Sequence, residues 1–209
     1  MRKSFRWILA CVLLAAAMVS PAAASVVFNV SEGIHPANVG TITLTQNDAN
    51  SVIVSVDLLD GYGFLNTGGK HTPFAFNLTP SAGALSISAF STPLNGVYAS
   101  GAFSLNTGGG DNTPFGTFGV ALDSSAGNGS GNAYYGDLLF TLSRTTGLTI
   151  ADFVANADGY FFSADLTDGD STGAQAWKVS QVPVPAALPL FLTALAALGL
   201  IARRKRPTA

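Results

Sequence analysis

The sequence predicts an all-β fold, an antiparallel β-sandwich of jelly-roll-like type, for residues 25–181. Three observations predict it. Apolar and polar residues alternate with period two over several runs, as in strands with one buried and one solvated face. Clusters of Gly, Asn and Asp, such as Asp60-Gly61, Asn66-Thr67-Gly68-Gly69 and Asn128-Gly129-Ser130-Gly131, separate the runs and supply turn conformations cheaply. Only Thr149 to Val154 has helical character, a turn or two with Thr149 as its N-cap. Short strands joined by Gly-rich turns need a second sheet to bury their apolar faces, hence a sandwich.

In chain order, residues 26–30 open the series. Thr41-Ile42-Thr43-Leu44-Thr45 alternates strictly, and in residues 51–58 Val52, Ile53, Val54 and Val56 sit among Ser51, Ser55 and Asp57 with every even position apolar. Residues 73–79 follow the first Asn-Thr-Gly-Gly cluster. Leu85, Ile87 and Ala89 alternate with serines, and residues 97–105 and 115–122 flank a Gly108-Gly109-Gly110-Asp111 turn. Leu138, Phe140 and Leu142 alternate again, and residues 160–166 and 173–179 form a last pair around Asp168-Gly169-Asp170.

Charge is distributed unevenly. Of the ten Lys and Arg, only Lys70, Arg144 and Lys178 lie in residues 25–181, against all twelve Asp and Glu, so this segment carries a net −9 beneath a whole-chain value of −2. Clustered Lys and Arg are what nucleic-acid binding requires, so no nucleic-acid partner is expected. The single cysteine, Cys11, precedes this segment, which therefore has no disulfide or thiol chemistry. A segment of this length buries roughly two thirds of its unfolded surface, enough for one unstapled domain.

Both ends have a different character. Arg2, Lys3 and Arg6 precede the apolar stretch 7–19 and the small residues Ala22-Ala23-Ala24, the three-part pattern of a signal peptide (1–24) cut after Ala24. At the other end, residues 182–209 read as Val182-Pro183-Val184-Pro185, an apolar run 186–202, and a basic stop of Arg203, Arg204, Lys205 and Arg206. At the helical rise, 17 residues span roughly 25 Å, and the 21 residues from Val182 roughly 31 Å, bracketing the hydrocarbon core of about 30 Å. The prolines hold the lead-in extended. The basic stop places the C-terminus in the cytoplasm and leaves residues 25–181 outside. An uncut single-pass anchor has the same hydrophobicity, but has no need of the Pro-x-Pro lead-in.

Chemistry-bearing residues are sparse. The two histidines, His35 and His71, have no zinc-ligand spacing, and no serine lies in a G-x-S-x-G elbow. No catalytic residue, cofactor site or enzyme activity is therefore assigned. Asp165, Asp168 and Asp170 are calcium candidates, since calcium takes carboxylate and carbonyl oxygens from loops, but they do not follow an EF-hand register. Tyr62, Tyr134, Tyr135, Tyr160 and Trp177 are either a sugar-stacking face or core. One phrase occurs twice: Leu65-Asn66-Thr67-Gly68-Gly69 with Thr72-Pro73-Phe74, and Leu105-Asn106-Thr107-Gly108-Gly109 with Thr113-Pro114-Phe115. Two copies are too few for a repeat array and read as one turn solution used twice.

The C-terminal residues, Val-Pro-Val-Pro-Ala-Ala-Leu-Pro-Leu-Phe-Leu with a small-residue helix and a basic terminus, resemble a PEP-CTERM sorting domain, closest to its VPLPA-CTERM variant. The resemblance covers Val182 to Arg206, with Val184 where the commoner form has Glu and the variant Leu. It implies an exosortase, a membrane-embedded cysteine transpeptidase, as partner. It also implies passage through the inner membrane, cutting near Pro183–Pro185, and delivery to the envelope or exopolysaccharide matrix of a Gram-negative bacterium. The expected function is a non-catalytic, structural or adhesive surface protein. The alternatives are a carbohydrate-binding module and, behind it, a glycoside-type hydrolase using an unrecognised carboxylate pair.

Overall fold

The alternating runs become strands, and the Gly-rich clusters become the turns between them. The computed structural model describes residues 24–69, 71–79, 84–88, 90 and 102–178. In chain order its strands are β1 Ser25–Phe28, β2 Val30–Gly33, β3 Gly40–Asp48, β4 Ser51–Leu58, β5 Gly63–Phe64, β6 Phe74–Leu78, β7 Leu85–Ile87 and β8 Phe103–Asn106. They continue as β9 Gly110–Asp111, β10 Thr117–Phe118, β11 Val120–Ser124, β12 Tyr134–Tyr135, β13 Leu138–Arg144, β14 Phe153–Val154, β15 Phe162–Thr167 and β16 Thr172–Lys178. Every pairing is antiparallel. Apart from Ala24, the signal peptide, the Val182–Pro185 motif, the 186–202 helix and the Arg203–Arg206 stop lie outside the described residues. Among the described residues no helix is long and apolar enough to cross a membrane.

The first sheet runs β1–β3–β4–β13–β7. Its strands β3, β4 and β13 bury every second residue, most regularly β13, where Leu138, Phe140, Leu142 and Arg144 are buried and the residues between them are half-buried. Period two in the sequence thus corresponds to one covered face. The second sheet centres on β15, which pairs along one edge with β16, and through it β2. Along the other edge it pairs with β6 and β5. β11 and β8 extend β6, and β12 extends β5. All six residues of β15 are buried.

The faces of β15 explain why. Phe162, Ala164 and Leu166 join Ile42, Leu44, Val52, Val54 and Phe140 of the first sheet in one hydrophobic core, the arrangement of a β-sandwich. Phe74 is its hub, 5.8 Å from Phe162 and 6.2 Å from Phe140 between ring centroids. Trp177 ties the sheets together, its Nε1–H donating to the Gly40 carbonyl at 3.0 Å. The opposite face carries Ser163, which faces Ala75 and Ala176 across the ladders, and Asp165, which faces Ala174. These small residues admit a third layer, in which Phe115, Phe118 and Tyr160 close over Ala75, Ala121, Ala174 and Ala176.

Three expectations change. The single strand expected over 26–30 divides at Asn29: β1 pairs with β3 in the first sheet and β2 with β16 in the second. The strand expected over 115–122 divides at Gly119 into β10 and β11. The helical segment is one 3-10 turn, Ile150–Asp152, followed by β14. Asp152 closes it by accepting the Thr149 N–H at 2.7 Å and hydroxyl at 3.1 Å.

Candidate functional site

Four connections meet at one end of the sandwich. β4 ends at Leu58, and a turn returns the chain to β5, the Tyr62 N–H donating to the Leu59 carbonyl at 3.2 Å. Gly61 has φ +89° while Asp60 keeps negative φ, the requirement of a type II turn, which leaves Leu59 and Asp60 on the rim. Opposite, β12 passes into β13 through Gly136 and Asp137, and the Gly136 N–H donates to the Tyr62 carbonyl at 3.0 Å. Beyond the last β4–β13 pair, the Leu58 N–H is taken by Asp137 Oδ1 at 2.9 Å, a side chain replacing a ladder bond. Leu58, Leu59, Asp60, Gly61, Tyr135, Gly136 and Asp137 line a cavity of about 140 Å³.

Alternation in β12 decides which tyrosine faces out. Tyr134 packs on Phe103 with ring centroids 5.0 Å apart, while Tyr135 is 49 % exposed. The β2–β3 loop and the β15–β16 hairpin complete this end. The His35 ring meets Tyr62 edge-on at 5.1 Å, its Nε2 lies 3.2 Å from the Leu166 carbonyl, and its Nδ1 lies 4.0 Å from Asp168.

The end is acidic. Asp137 is 6 % exposed, and burial pushes its carboxyl above the usual carboxylate range, reinforced by the charges of Asp57 and Asp60. Asp57 is close enough to hydrogen-bond Asp137.

The calcium candidates are assigned different work. Asp168 sits in the β15–β16 turn, where Oδ1 accepts the N–H groups of Asp170 and Ser171 at 3.0 and 2.7 Å. The Ser171 bonds hold its carboxyl below the usual range. Asp170 is exposed in the same turn. Asp165 is fully buried under the third layer, its Oδ2 accepting the Thr67 N–H at 2.8 Å and hydroxyl at 2.7 Å. Among the described residues no three His, Cys, Asp or Glu side chains converge as a metal would need.

His71 joins this buried cluster, its Nδ1 3.1 Å from Thr67 Oγ1 and 3.5 Å from Asp165 Oδ1. Carboxylate and hydroxyl therefore meet the same ring nitrogen, whereas a nucleophilic relay needs them on opposite ones. Of the aromatic candidates, Trp177 is fully buried, Tyr62 and Tyr134 pack against the core, and Tyr160 donates its hydroxyl to Glu32 at 2.8 Å. Tyr135 alone of the five is exposed.

The repeated phrase makes one turn twice: Asn66 Oδ1 accepts the Gly68 N–H at 2.8 Å, and Asn106 Oδ1 the Gly108 N–H at 2.9 Å. The two phrases also touch. Asn112 of the second copy accepts the Thr72 N–H of the first at 2.6 Å and donates to Ser163 Oγ at 2.7 Å. Tyr135 is legible in the sequence as an aromatic candidate and Asp60-Gly61 as a turn, whereas Leu59 and Asp137 are not, the one local signal being Gly136-Asp137 just ahead of an alternating run.

Compared with known proteins, the chain matches no family model, no curated protein and no solved structure.

Proposed function

We propose that this chain is an exported, C-terminally sorted surface or extracellular-matrix protein with a non-catalytic, structural or adhesive β-sandwich. One observation carries the reading. The first strand begins at Ser25, directly after the expected signal cut, and β16 ends at Lys178, four residues before Val182. Cutting after Ala24 and near Pro183–Pro185 therefore removes no residue of any strand pair described. The cargo is suited to that passage: it has no cysteine to oxidise, and it is acidic. Two of its three cations are also engaged, Arg144 with Asp152 and Lys178 with Glu32.

The connectivity supports the jelly-roll-like form of the sandwich. The chain changes sheet from β1 to β2, β2 to β3, β4 to β5, β6 to β7, β7 to β8, β12 to β13 and β13 to β14. The partner in this reading is an exosortase-type transpeptidase acting at the inner membrane, and the destination is the envelope or matrix. Intact-mass measurement on protein recovered from its native host tests it. The expected species lacks residues 1–24 and everything after about residue 185. A chain still ending in Ala209 overturns the sorting step.

A further inference from the structure

We propose that the cavity lined by Tyr135, Leu59, Asp60 and Asp137 binds one ring of a neutral, hydroxyl-rich saccharide. Shape and size come first. About 140 Å³ holds a ring-sized unit, well below the roughly 300–1,000 Å³ of pockets for larger ligands. Its lining then pairs two chemistries. Tyr135 and Leu59, 49 % and 45 % exposed, are among the three large apolar side chains that the described body leaves in water, and both border this cavity. An exposed ring presents a negative π-face, which suits the C–H face of a sugar. Asp60 and Asp137 are acceptors, and hydroxyls donating to carboxylates make bonds roughly twice as strong as neutral pairs.

The charge selects within saccharides. Among the described residues no Lys, Arg or His lines the cavity, and the charge of Asp57 adds to that of Asp137, so a uronate or sulfated ring is disfavoured by repulsion. The site is also held in shape before any ligand arrives. Asp137 is fixed by the Leu58 N–H, Tyr135 by the β5–β12 pairing at Gly63, and the rim by the type II turn at Gly61. Such preorganisation reduces the ordering cost of binding. The inference deepens the surface-and-matrix reading and rests on it for the supply of saccharide, not for the chemistry of the cavity.

The test uses the full chain in detergent, titrated with cellohexaose, maltohexaose and, as the anionic control, polygalacturonate, with binding followed by calorimetry and saturation-transfer NMR. The expected result is a dissociation constant of about 1 mM for a neutral oligosaccharide, weakened about tenfold or more by Tyr135→Ala. Asp137→Asn keeps an oxygen for the Leu58 N–H but removes the charge, and is expected to weaken binding several-fold without lowering the melting midpoint. Tyr160→Phe, on the third layer, leaves binding unchanged. No neutral oligosaccharide bound at about 10 mM, equal binding by Tyr135→Ala, or tighter binding of polygalacturonate each overturns the proposal. So does a calcium-dependent rise in midpoint that Asp137→Asn abolishes with no sugar bound, which would make the cavity a cation site. Native-host protein that still ends in Ala209 would overturn the sorting step, whereas sugar binding by the titrated chain would leave the cavity's assignment standing.

Discussion

Single buried polar residues carry much of the definition of this molecule. Asn112 is fully buried and holds Thr72 and Ser163, so Asn112→Ala strands the Thr72 N–H beneath the third layer. An unsatisfied buried donor with its lost bonds costs about 2–3 kcal/mol, read as a lower urea midpoint. Asp137 behaves differently because its carboxyl is raised. Its protonated form is favoured in the fold, so its contribution to stability is fully present below the ordinary carboxylate pKa and is lost as pH rises through the raised one. Asp137→Asn should therefore gain on the native protein as pH rises from 3 to 7 in paired thermal melts. A gap that narrows instead would show that the carboxylate is stabilised by its neighbours. Neither residue announces itself in the sequence. Asn112 lies in an ordinary Gly-Asp-Asn-Thr-Pro turn string, and only docking against Thr72 buries it.

Among the elements, the β15–β16 hairpin has the most depending on it, since it borders the inner core, the third layer and the acidic end. Its turn is closed by Asp168, whose lowered carboxyl gives the opposite pH dependence: stability present above the ordinary pKa and lost as pH falls through the lowered one. Asp168→Ala should lower the melting midpoint at pH 7, with the difference shrinking towards pH 2. The β9–β10 hairpin depends on a glycine. Gly109 has φ +84°, and a Cβ there would meet the Phe118 carbonyl. Gly109→Ala should loosen this hairpin and raise amide exchange at Asn112 and Phe115 while leaving the first sheet protected. The first sheet was legible in the sequence because one face is solvated, so burial imposes alternation on β3, β4 and β13. The two-residue strands β5, β9, β10, β12 and β14 were not legible as separate strands, because so short a segment carries no period.

For the whole molecule, aromatic packing across the two sheets is the main source of cohesion. Phe74 touches the rings of Phe64, Phe76, Phe140 and Phe162 from the centre of the core. Phe74→Ala removes a fully buried ring and should cost about 3–5 kcal/mol, or roughly 10 °C in midpoint for a domain of this size, measured by calorimetry. At this scale the acidic character also becomes structural. Arg144 is 4 % exposed, its Nη2 3.1 Å from Asp152 Oδ2, so one of the few cations is withdrawn from the surface. The net −9 of residues 25–181 disfavours polyanions.

The sequence by itself determined the period-two strands, the Asx turns of the repeated phrase, the net −9 of residues 25–181, and the terminal segments that resemble an export and sorting address. Each follows from neighbours within a few positions. Only the tertiary structure decided that residues 26–33 change sheet at Asn29, that β15 is buried on both faces, and that Asp165 lies sealed against Thr67. The cavity at Tyr135 belongs with these. The reason is physical: the partners stand far apart in the chain, 98 residues for Thr67 and Asp165 and 79 for Leu58 and Asp137. Whether a carboxylate ends in water or under a layer of side chains depends on which strand closes over it, and local pattern carries no record of that.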